Sequence, residues 1–250
     1  MTATPPTRND IAIPLKDGIV SVVLSGALLV ALAYVAVVPG YHLATSVLGR
    51  RPSLVGGHPY DEASGIAIYA ITAWFAWRRL RPVLSRTPCR VPTRPDVVVM
   101  TIAVLVTIGV DRAYDWLLYA VGQGDHVQAG FEGFSMAMST RAETILAIAL
   151  TLLNGAVAGP VAEELISRGL LFGALISRYS VVAAAALSGI VFGAVHCDPI
   201  LFVILALDGV ILALAYAATG NLVVSMVVHG ITNAISFAPL IVQALSRTPH

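Results

Sequence analysis

The C-terminal half of the chain contains two long apolar stretches, VVAAAALSGIVFGAV (Val181–Val195) and ILFVILALDGVILALAYAA (Ile200–Ala218). From Ser180 to Ser246 only two residues, Asp198 and Asp208, are charged. A helix needs about 20 consecutive apolar residues to cross the hydrocarbon core of a bilayer. These stretches, which are joined by a short turn, therefore indicate consecutive helices that cross a membrane.

The composition extends this interpretation to the whole chain. Of its 250 residues, 57% are hydrophobic and 12% are charged, and the mean hydropathy is +0.83. Soluble domains carry about 25% charged residues, so this chain lacks the polar surface that a soluble enzyme needs. The composition also excludes a disordered chain, and the net charge of +1 excludes the basic surface of a nucleic-acid-binding protein. We therefore expect an all-α, polytopic transmembrane helix bundle that contacts the lipid bilayer and no nucleic acid.

Seven apolar stretches predict seven membrane spans. The bundle has eight spans if one of these stretches crosses the membrane twice. That stretch ends in NGAVAGP (154–160), which is rich in helix breakers, so we expect a kink or a re-entrant turn before the helical pattern resumes over Glu163–Ser177. The third stretch can also continue as a helix to Val121. The predicted spans are Gly18–Val38, Ala63–Trp77, Val97–Val110, Thr144–Ala162, Val181–Val195, Ile200–Ala218 and Leu222–Leu245.

The distribution of arginine predicts the orientation of the bundle. The segment 78–96 contains six arginines, and short loops rich in Lys and Arg remain in the cytoplasm. Alternation of seven spans then puts the N-terminus, Arg178 and the turn at Thr219 in the cytoplasm and an acidic, aromatic loop over 111–143 outside. The first span follows a basic segment, as in a signal peptide, but its length favours a transmembrane helix. We expect an integral protein of a bacterial inner membrane with a cytoplasmic N-terminus.

A cluster of charged residues, Glu163, Glu164 and Arg168, stands beside one of the apolar stretches. A charge at the bilayer centre costs about 2.5–3.5 kcal/mol on translocon scales, so these side chains must face protein or a wet cavity. Residues four apart share a helix face, which predicts that Glu164 pairs with Arg168. Glu163 is displaced by about 100° and keeps its carboxylate for chemistry. Asp208 is expected to pair with Arg168 or to line the same cavity.

Two histidines and an asparagine lie in the apolar C-terminal half. His229 and Asn233 are four residues apart in the last span, and Phe192 and His196 repeat that spacing in another span. A partly desolvated Glu beside a His can hold and deprotonate a water molecule. A His and an Asn on a neighbouring helix can donate hydrogen bonds to a developing oxyanion. Together with Glu163, these residues form a set that is suited to hydrolysis inside a membrane.

The order of these motifs resembles the signature of a known family, the CAAX prenyl protease and bacteriocin-processing (CPBP, or Abi) family, which includes type II CAAX prenyl endopeptidases. The motifs are Glu163-Glu164-x-x-x-Arg168, Phe192-x-x-x-His196 and His229-x-x-x-Asn233. The resemblance covers about 144–237. One departure is Ser167, which stands where many members carry an aromatic residue, and it weakens any transfer of substrate specificity.

The resemblance implies a role for each motif residue. Glu163 and His196 would activate water, and His229 and Asn233 would form the oxyanion site. The Glu164–Arg168 pair would hold the first motif in place. The implied activity is that of an intramembrane endopeptidase, without a cofactor, whose active site lies in an intramembrane cavity. Its partner would be a membrane-associated protein or peptide substrate, such as a prenylated tail or a leader peptide.

This interpretation divides the chain into three parts and leaves three alternatives open. Residues 1–142 would form spans without a recognised motif, 143–245 the catalytic helical core and 246–250 a tail. The alternatives are a zinc-dependent protease that uses Glu163 and the two histidines as metal ligands, a proton-coupled transporter, and a non-catalytic membrane scaffold or immunity protein.

Overall fold

The computed structural model describes residues 7–48, 59–83, 89–124 and 140–247. Within these ranges the chain forms eight α-helices, one 3₁₀ turn (Arg81–Val83) and no strand, which confirms the all-α prediction. The helices are α1 (Arg8–Ile11), α2 (Leu15–Leu48), α3 (Pro59–Leu80), α4 (Arg94–Ala120), α5 (Arg141–Ile176), α6 (Val181–Val195), α7 (Phe202–Thr219) and α8 (Leu222–Arg247).

Five of the described helices are long and apolar enough to cross a membrane: α4, α5, α7, α8 and the first part of α2, Leu15–Leu32. The apolar helix α6 has 15 residues, and α3, with 22 residues, covers the predicted span Ala63–Trp77. The seven predicted positions therefore each hold a helix in a polytopic bundle. Helices α3 and α6 are not among the five that are long and apolar enough to cross a membrane. Helix α6 is too short, and α3 carries charged residues at both of its ends.

Helix α4 is longer than its uncharged core. It continues to Ala120, so the longer alternative for the third span is correct. Asp111, Arg112 and Asp115 consequently lie on a helix, and the prediction that they belong to an external loop is wrong. Residues 125–139 of the predicted loop lie outside the described part of the chain.

Helix α5 runs through its helix breakers without a break, so the predicted re-entrant turn or second pass at 154–160 is wrong. The backbone instead widens into two π-helical stretches, Asn154–Ala158 and Leu165–Phe172. The amide of Gly159 donates to the carbonyl of Asn154, five residues back, as a π-helical turn requires. Proline lacks an amide proton and is tolerated where a helix segment begins, and Pro160 stands at the start of the α-helical segment between these stretches.

The buried apolar core surrounds the last part of α5. Leu170, Phe172 and Ile176 are fully buried there, together with Leu80 of α3 and Tyr216 of α7. The amide of Ile13 also donates to the carbonyl of Gly173 at 2.9 Å, so the segment between α1 and α2 packs on the same core.

Helices α6 and α7 approach each other closely because glycines stand at their contact. A Cβ atom added to Gly189 would lie 2.4 Å from the carbonyl oxygen of Ala206, and one added to Gly209 would lie 2.7 Å from the Cα of Gly189. Small residues allow close backbone approach between membrane helices. This contact sets the separation of α6, which carries Phe192 and precedes His196, from α7, which carries Asp208.

The arginine-rich segment packs against the turn between α7 and α8. The side chain of Asn221 is fully buried; its Oδ1 accepts from the Arg90 amide at 3.2 Å and its Nδ2 donates to the Arg90 carbonyl at 3.0 Å. The Arg90 guanidinium pairs with Asp96 and also donates to the carbonyl of Thr219 at 3.1 Å. The two segments that were both predicted to be cytoplasmic therefore lie at the same end of the bundle.

We predict that Gly189→Ala lowers the stability of the bundle by about 1–3 kcal/mol, because its methyl group meets the α7 backbone, which cannot move aside easily. The measurement is the midpoint of unfolding in detergent. Gly109→Ala on α4 is the matched control: its Cβ meets nothing within 4 Å, and the gain in helix propensity makes it neutral or slightly stabilising. Equal midpoints for the two variants would contradict the close α6–α7 contact.

Candidate active site

One cavity of about 550 Å³ brings together all four residues that were predicted to be catalytic: Glu163, His196, His229 and Asn233. Side chains from α3 to α8 line it. Besides those four, the lining residues include Tyr69, Thr107, Asp111, Arg112, Tyr114, Asp115, Asn154, Gly155, Gly159, Phe192, Leu201, Ile204, Leu205, Asp208, Leu212, Thr232, Ser236, Phe237 and Leu240.

The cavity occupies the end of the bundle away from the arginine-rich segment. On α7 the last lining residue is Leu212, and on α8 the first is His229, so the cavity stays at least one helical turn from the α7–α8 turn. On α4 the lining residues begin at Thr107, in the second half of that helix. At the far end, the Tyr114 hydroxyl donates to the carbonyl of Ile200, which joins α4 to the segment between α6 and α7.

Glu164 and Arg168 lie behind the cavity wall and are both fully buried. Nη1 of Arg168 is 3.1 Å from Oε1 of Glu164, across one helical turn. Nη2 of Arg168 donates to the carbonyl of Gly209 at 3.2 Å, and its guanidinium carbon lies 4.4 Å from the ring centroid of Phe192. A buried charge needs such partners, since its desolvation costs several kcal/mol.

His229 connects this pair to the cavity. Its Nδ1 is 3.0 Å from Oε1 of Glu164, and its Nε2 is 3.9 Å from Oε2 of Glu163. The edge-on ring of Phe192 packs against it, with 5.7 Å between the ring centroids. The imidazole therefore lies between two carboxylates: its Nδ1 is within hydrogen-bond distance of Glu164, whereas its Nε2 faces Glu163 beyond that distance.

His196 follows the last residue of α6 and is half-buried. Its Nδ1 is 2.7 Å from the carbonyl oxygen of Phe192, one turn earlier. A carbonyl oxygen can only accept a hydrogen bond, so Nδ1 carries a proton and the neutral ring keeps a lone pair on Nε2. This geometry leaves Nε2 able to accept a hydrogen bond from water.

Asn233 reaches across from α8 to the first π-helical stretch of α5. Its Nδ2 donates to the carbonyl of Gly155 at 2.8 Å, which leaves the second amide proton for another acceptor. The two helices are close here: a Cβ atom on Gly230 would lie 2.3 Å from the carbonyl oxygen of Ala156. Asn233 is held at the cavity wall by this contact.

The sequence did not point to Tyr69, whose hydroxyl donates to Oε1 of Glu163 at 3.4 Å. Tyr69 stands in an ordinary apolar stretch, and no local spacing relates it to the motifs. Asp208 lines the cavity, as one of the two expectations for it stated, and its Oδ1 has no hydrogen-bond partner. The acidic side chains of Asp111 and Asp115 line the same cavity.

The zinc-dependent alternative needs three or more ligand side chains gathered around one point. Among the described residues, no three or more His, Cys, Asp and Glu side chains are arranged to hold a metal ion. That statement covers the three zinc ligands of the alternative interpretation, Glu163, His196 and His229. Nδ1 of His229 is hydrogen-bonded to Glu164, and its Nε2 lies 3.9 Å from Glu163.

Comparison with known proteins supports the resemblance seen in the motifs. Residues 145–235 match the family model described as type II CAAX prenyl endopeptidase Rce1-like. A protein of Bacillus subtilis (strain 168) named "Putative membrane peptidase YdiL" is 31% identical over 91 residues, which are 36% of this chain and 37% of that protein. The chain thus aligns with little more than a third of this relative's length. No solved structure matches the chain.

These matches confirm the resemblance to the CAAX prenyl protease family. They also support a membrane protease in general. The matched segment includes every motif residue that the sequence singled out, from Glu163 to Asn233. Helices α3 and α4, which complete the cavity, lie outside it.

We predict that Arg168→Met destabilises the bundle by about 3–5 kcal/mol, because it leaves the carboxylate of Glu164 buried without its main partner. The double variant Glu164→Gln/Arg168→Met should recover part of this loss, since it removes both charges together. Unfolding midpoints in detergent measure both effects. The single variant Glu164→Gln completes the comparison. If the double variant loses as much stability as Glu164→Gln and Arg168→Met lose when added together, the pair is not a coupled unit.

Proposed function

We propose that this chain is an intramembrane endopeptidase, which hydrolyses a peptide bond of a membrane-associated protein or leader peptide. One observation supports the proposal above all: Glu163, His196, His229 and Asn233 line a single cavity. The matches to the Rce1-like family model and to a relative named as a putative membrane peptidase support the same class of reaction. Such a reaction needs an activated water, stabilisation of the oxyanion and a proton for the leaving amine.

Glu163 and His196 activate the water. The lone pair on Nε2 of His196 accepts one hydrogen bond from it, and the carboxylate of Glu163 accepts the other proton. As the water oxygen attacks the scissile carbonyl, its proton passes to Glu163. When the C–N bond breaks, Glu163 gives that proton to the leaving amine, and the carboxylate is regenerated.

His229 and Asn233 stabilise the oxyanion. Nδ1 of His229 is engaged by Glu164, so Nε2 of the doubly protonated ring is the nitrogen that can donate to the substrate oxygen. The free amide proton of Asn233 is the second donor, because the first is bound by the carbonyl of Gly155. Each donor is held by a fixed partner, as catalysis by preorganised hydrogen bonds requires.

The cavity suits an extended segment of a protein that is embedded in the bilayer or attached to it. Its volume of about 550 Å³ accommodates a few residues, and Leu201, Ile204 and Phe237 provide apolar walls. Prenylated tails and leader peptides are both extended segments of this kind. The reaction proposed here uses no metal or organic cofactor.

We predict that Glu163→Gln and His196→Ala each lower peptide cleavage at least 100-fold while the protein stays folded, because each removes a group that activates water. The measurement compares the membrane proteomes of cells that express the wild type and Glu163→Gln, and searches for N-termini that only the wild type creates. Asp17→Asn is the control, since Asp17 is an exposed carboxylate outside the cavity. Undiminished cleavage in either cavity variant contradicts the proposal, and solute uptake that survives Glu163→Gln would favour a transporter.

We further propose that the cavity opens to the outside of a bacterial inner membrane, with the N-terminus in the cytoplasm. The arginine-rich segment and the α7–α8 turn share one end of the bundle, and short basic loops remain in the cytoplasm. The cavity lies toward the opposite end, beside Asp115 and His196. Its substrates are then exported proteins or the external parts of membrane proteins.

The chain's own cysteines provide a test of this orientation. Cys197 is exposed at the cavity end, whereas burial raises the pKa of Cys89, at the arginine-rich end, to about 11 and makes that thiol poorly reactive. We predict that a membrane-impermeant maleimide labels Cys197 in intact spheroplasts of a bacterial host. A cysteine introduced as Arg178→Cys in a Cys197→Ser background should react only after lysis. The reverse pattern contradicts the orientation without affecting the proposed reaction.

A further inference from the structure

We propose that α3 is a fourth element of the site, in which Glu62, Gly65 and Tyr69 position the reacting groups. The inference rests on the proposed function, and it concerns a helix outside the matched segment 145–235. The three residues are spaced by three and four, so they share one face of α3. That face contacts α5 at both the π-helical stretch Asn154–Ala158 and Glu163.

Tyr69 fixes one oxygen of the Glu163 carboxylate. Its hydroxyl donates to Oε1 at 3.4 Å, while Oε2 lies toward His229 at 3.9 Å. A carboxylate on a flexible side chain can otherwise rotate and exchange its two oxygens. With Oε1 engaged by Tyr69, Oε2 is the oxygen held on the side of the oxyanion donor.

Glu62 fixes the π-helical stretch. This carboxylate is 7% exposed, and both of its oxygens are engaged: Oε1 accepts from the hydroxyl of Thr151 at 3.0 Å, and Oε2 accepts from Nδ2 of Asn154 at 2.8 Å. The residue after Asn154 is Gly155, whose carbonyl holds Asn233. Glu62 therefore acts on the second oxyanion donor through the backbone of α5.

Gly65 makes room for this contact. A Cβ atom at Gly65 would lie 2.7 Å from Nδ2 and 3.1 Å from Oδ1 of Asn154, closer than side chains tolerate. A larger residue would push the Asn154 amide off Glu62. The pattern Glu62-x-x-Gly65-x-x-x-Tyr69 thus combines an acceptor, a space and a donor on one helix face.

All three are positioning residues, because their contacts are made to Glu163 and to the stretch of α5 that holds Asn233. Their expected signature is a lower kcat with little change in KM, since alignment matters most in the transition state. Loss of packing alone would instead lower stability. The hydroxyl of Tyr69 can be removed without changing the ring, which separates the two effects.

The first experiment compares Tyr69→Phe with Tyr216→Phe, using an internally quenched peptide that spans a cleavage site found by the proteome comparison. We expect kcat of Tyr69→Phe to fall about tenfold, with KM within twofold of the wild type. Tyr216→Phe removes a buried hydroxyl that has no hydrogen-bond partner and should leave kcat unchanged. If Tyr69→Phe equals the wild type, the inference is overturned while the proposed function stands.

The second experiment needs no activity and so holds even if the chain cleaves nothing. An apolar carbodiimide modifies the Glu163 carboxyl, and mass spectrometry measures the rate. Tyr69→Phe should raise that rate at least twofold, because Oε1 loses its donor, and Tyr216→Phe should not. Equal rates in all three proteins overturn the role of Tyr69.

Glu62 and Gly65 are tested by hydrogen–deuterium exchange. Glu62→Ala and Gly65→Ala should each speed exchange at 154–158 several-fold, and Glu62→Gln, which keeps one oxygen acceptor, should restore part of the protection. Thr72→Val is the control on the same helix, because the Thr72 hydroxyl is buried without a partner. The role of Glu62 is overturned if exchange at 154–158 is the same in Glu62→Ala and in Thr72→Val.

Discussion

The buried ion pair between Glu164 and Arg168 is the interaction on which the rest of the site depends. Neither side chain reaches water, so their charges must be satisfied inside the bundle. Three other helices supply the partners: Phe192 on α6 covers the guanidinium, Gly209 on α7 accepts from it, and His229 on α8 bonds the carboxylate. The pair therefore fixes the mutual positions of four helices, and three of them carry the residues proposed to act on the substrate.

The π-helical stretches of α5 give this arrangement its local geometry. A π-helical turn shifts the direction of the side chains that follow it and is common at functional sites. Here one such stretch precedes Glu163 and another follows Glu164, so the two neighbouring carboxylates lie in a short α-helical segment between them. One carboxylate then reaches the cavity and the other the buried pair.

Sequence reasoning succeeded where the signal is local. The pairing of Glu164 with Arg168 follows from their spacing of four, and the apolar stretches predicted a helix at each of seven positions. The prediction of a second pass at 154–160 was wrong, because glycine and proline indicate a break when they are considered in isolation, whereas packing against α8 supports a widened but continuous helix. Sequence reasoning also could not find Glu62 and Tyr69, whose contacts join residues 92 and 94 positions apart and depend on which helices become neighbours.

The position of His229 between two carboxylates has a consequence for the whole reaction cycle. In the proposed reaction His229 starts with both ring protons, so the charges of Glu163, Glu164, Arg168 and His229 sum to zero before the water attacks. When Glu163 takes the proton of water in that reaction, these four side chains gain one positive charge at the moment the substrate becomes an oxyanion. The summed charge of these four side chains and the substrate therefore stays constant through the proposed reaction, and the apolar surroundings of the site meet no change of net charge.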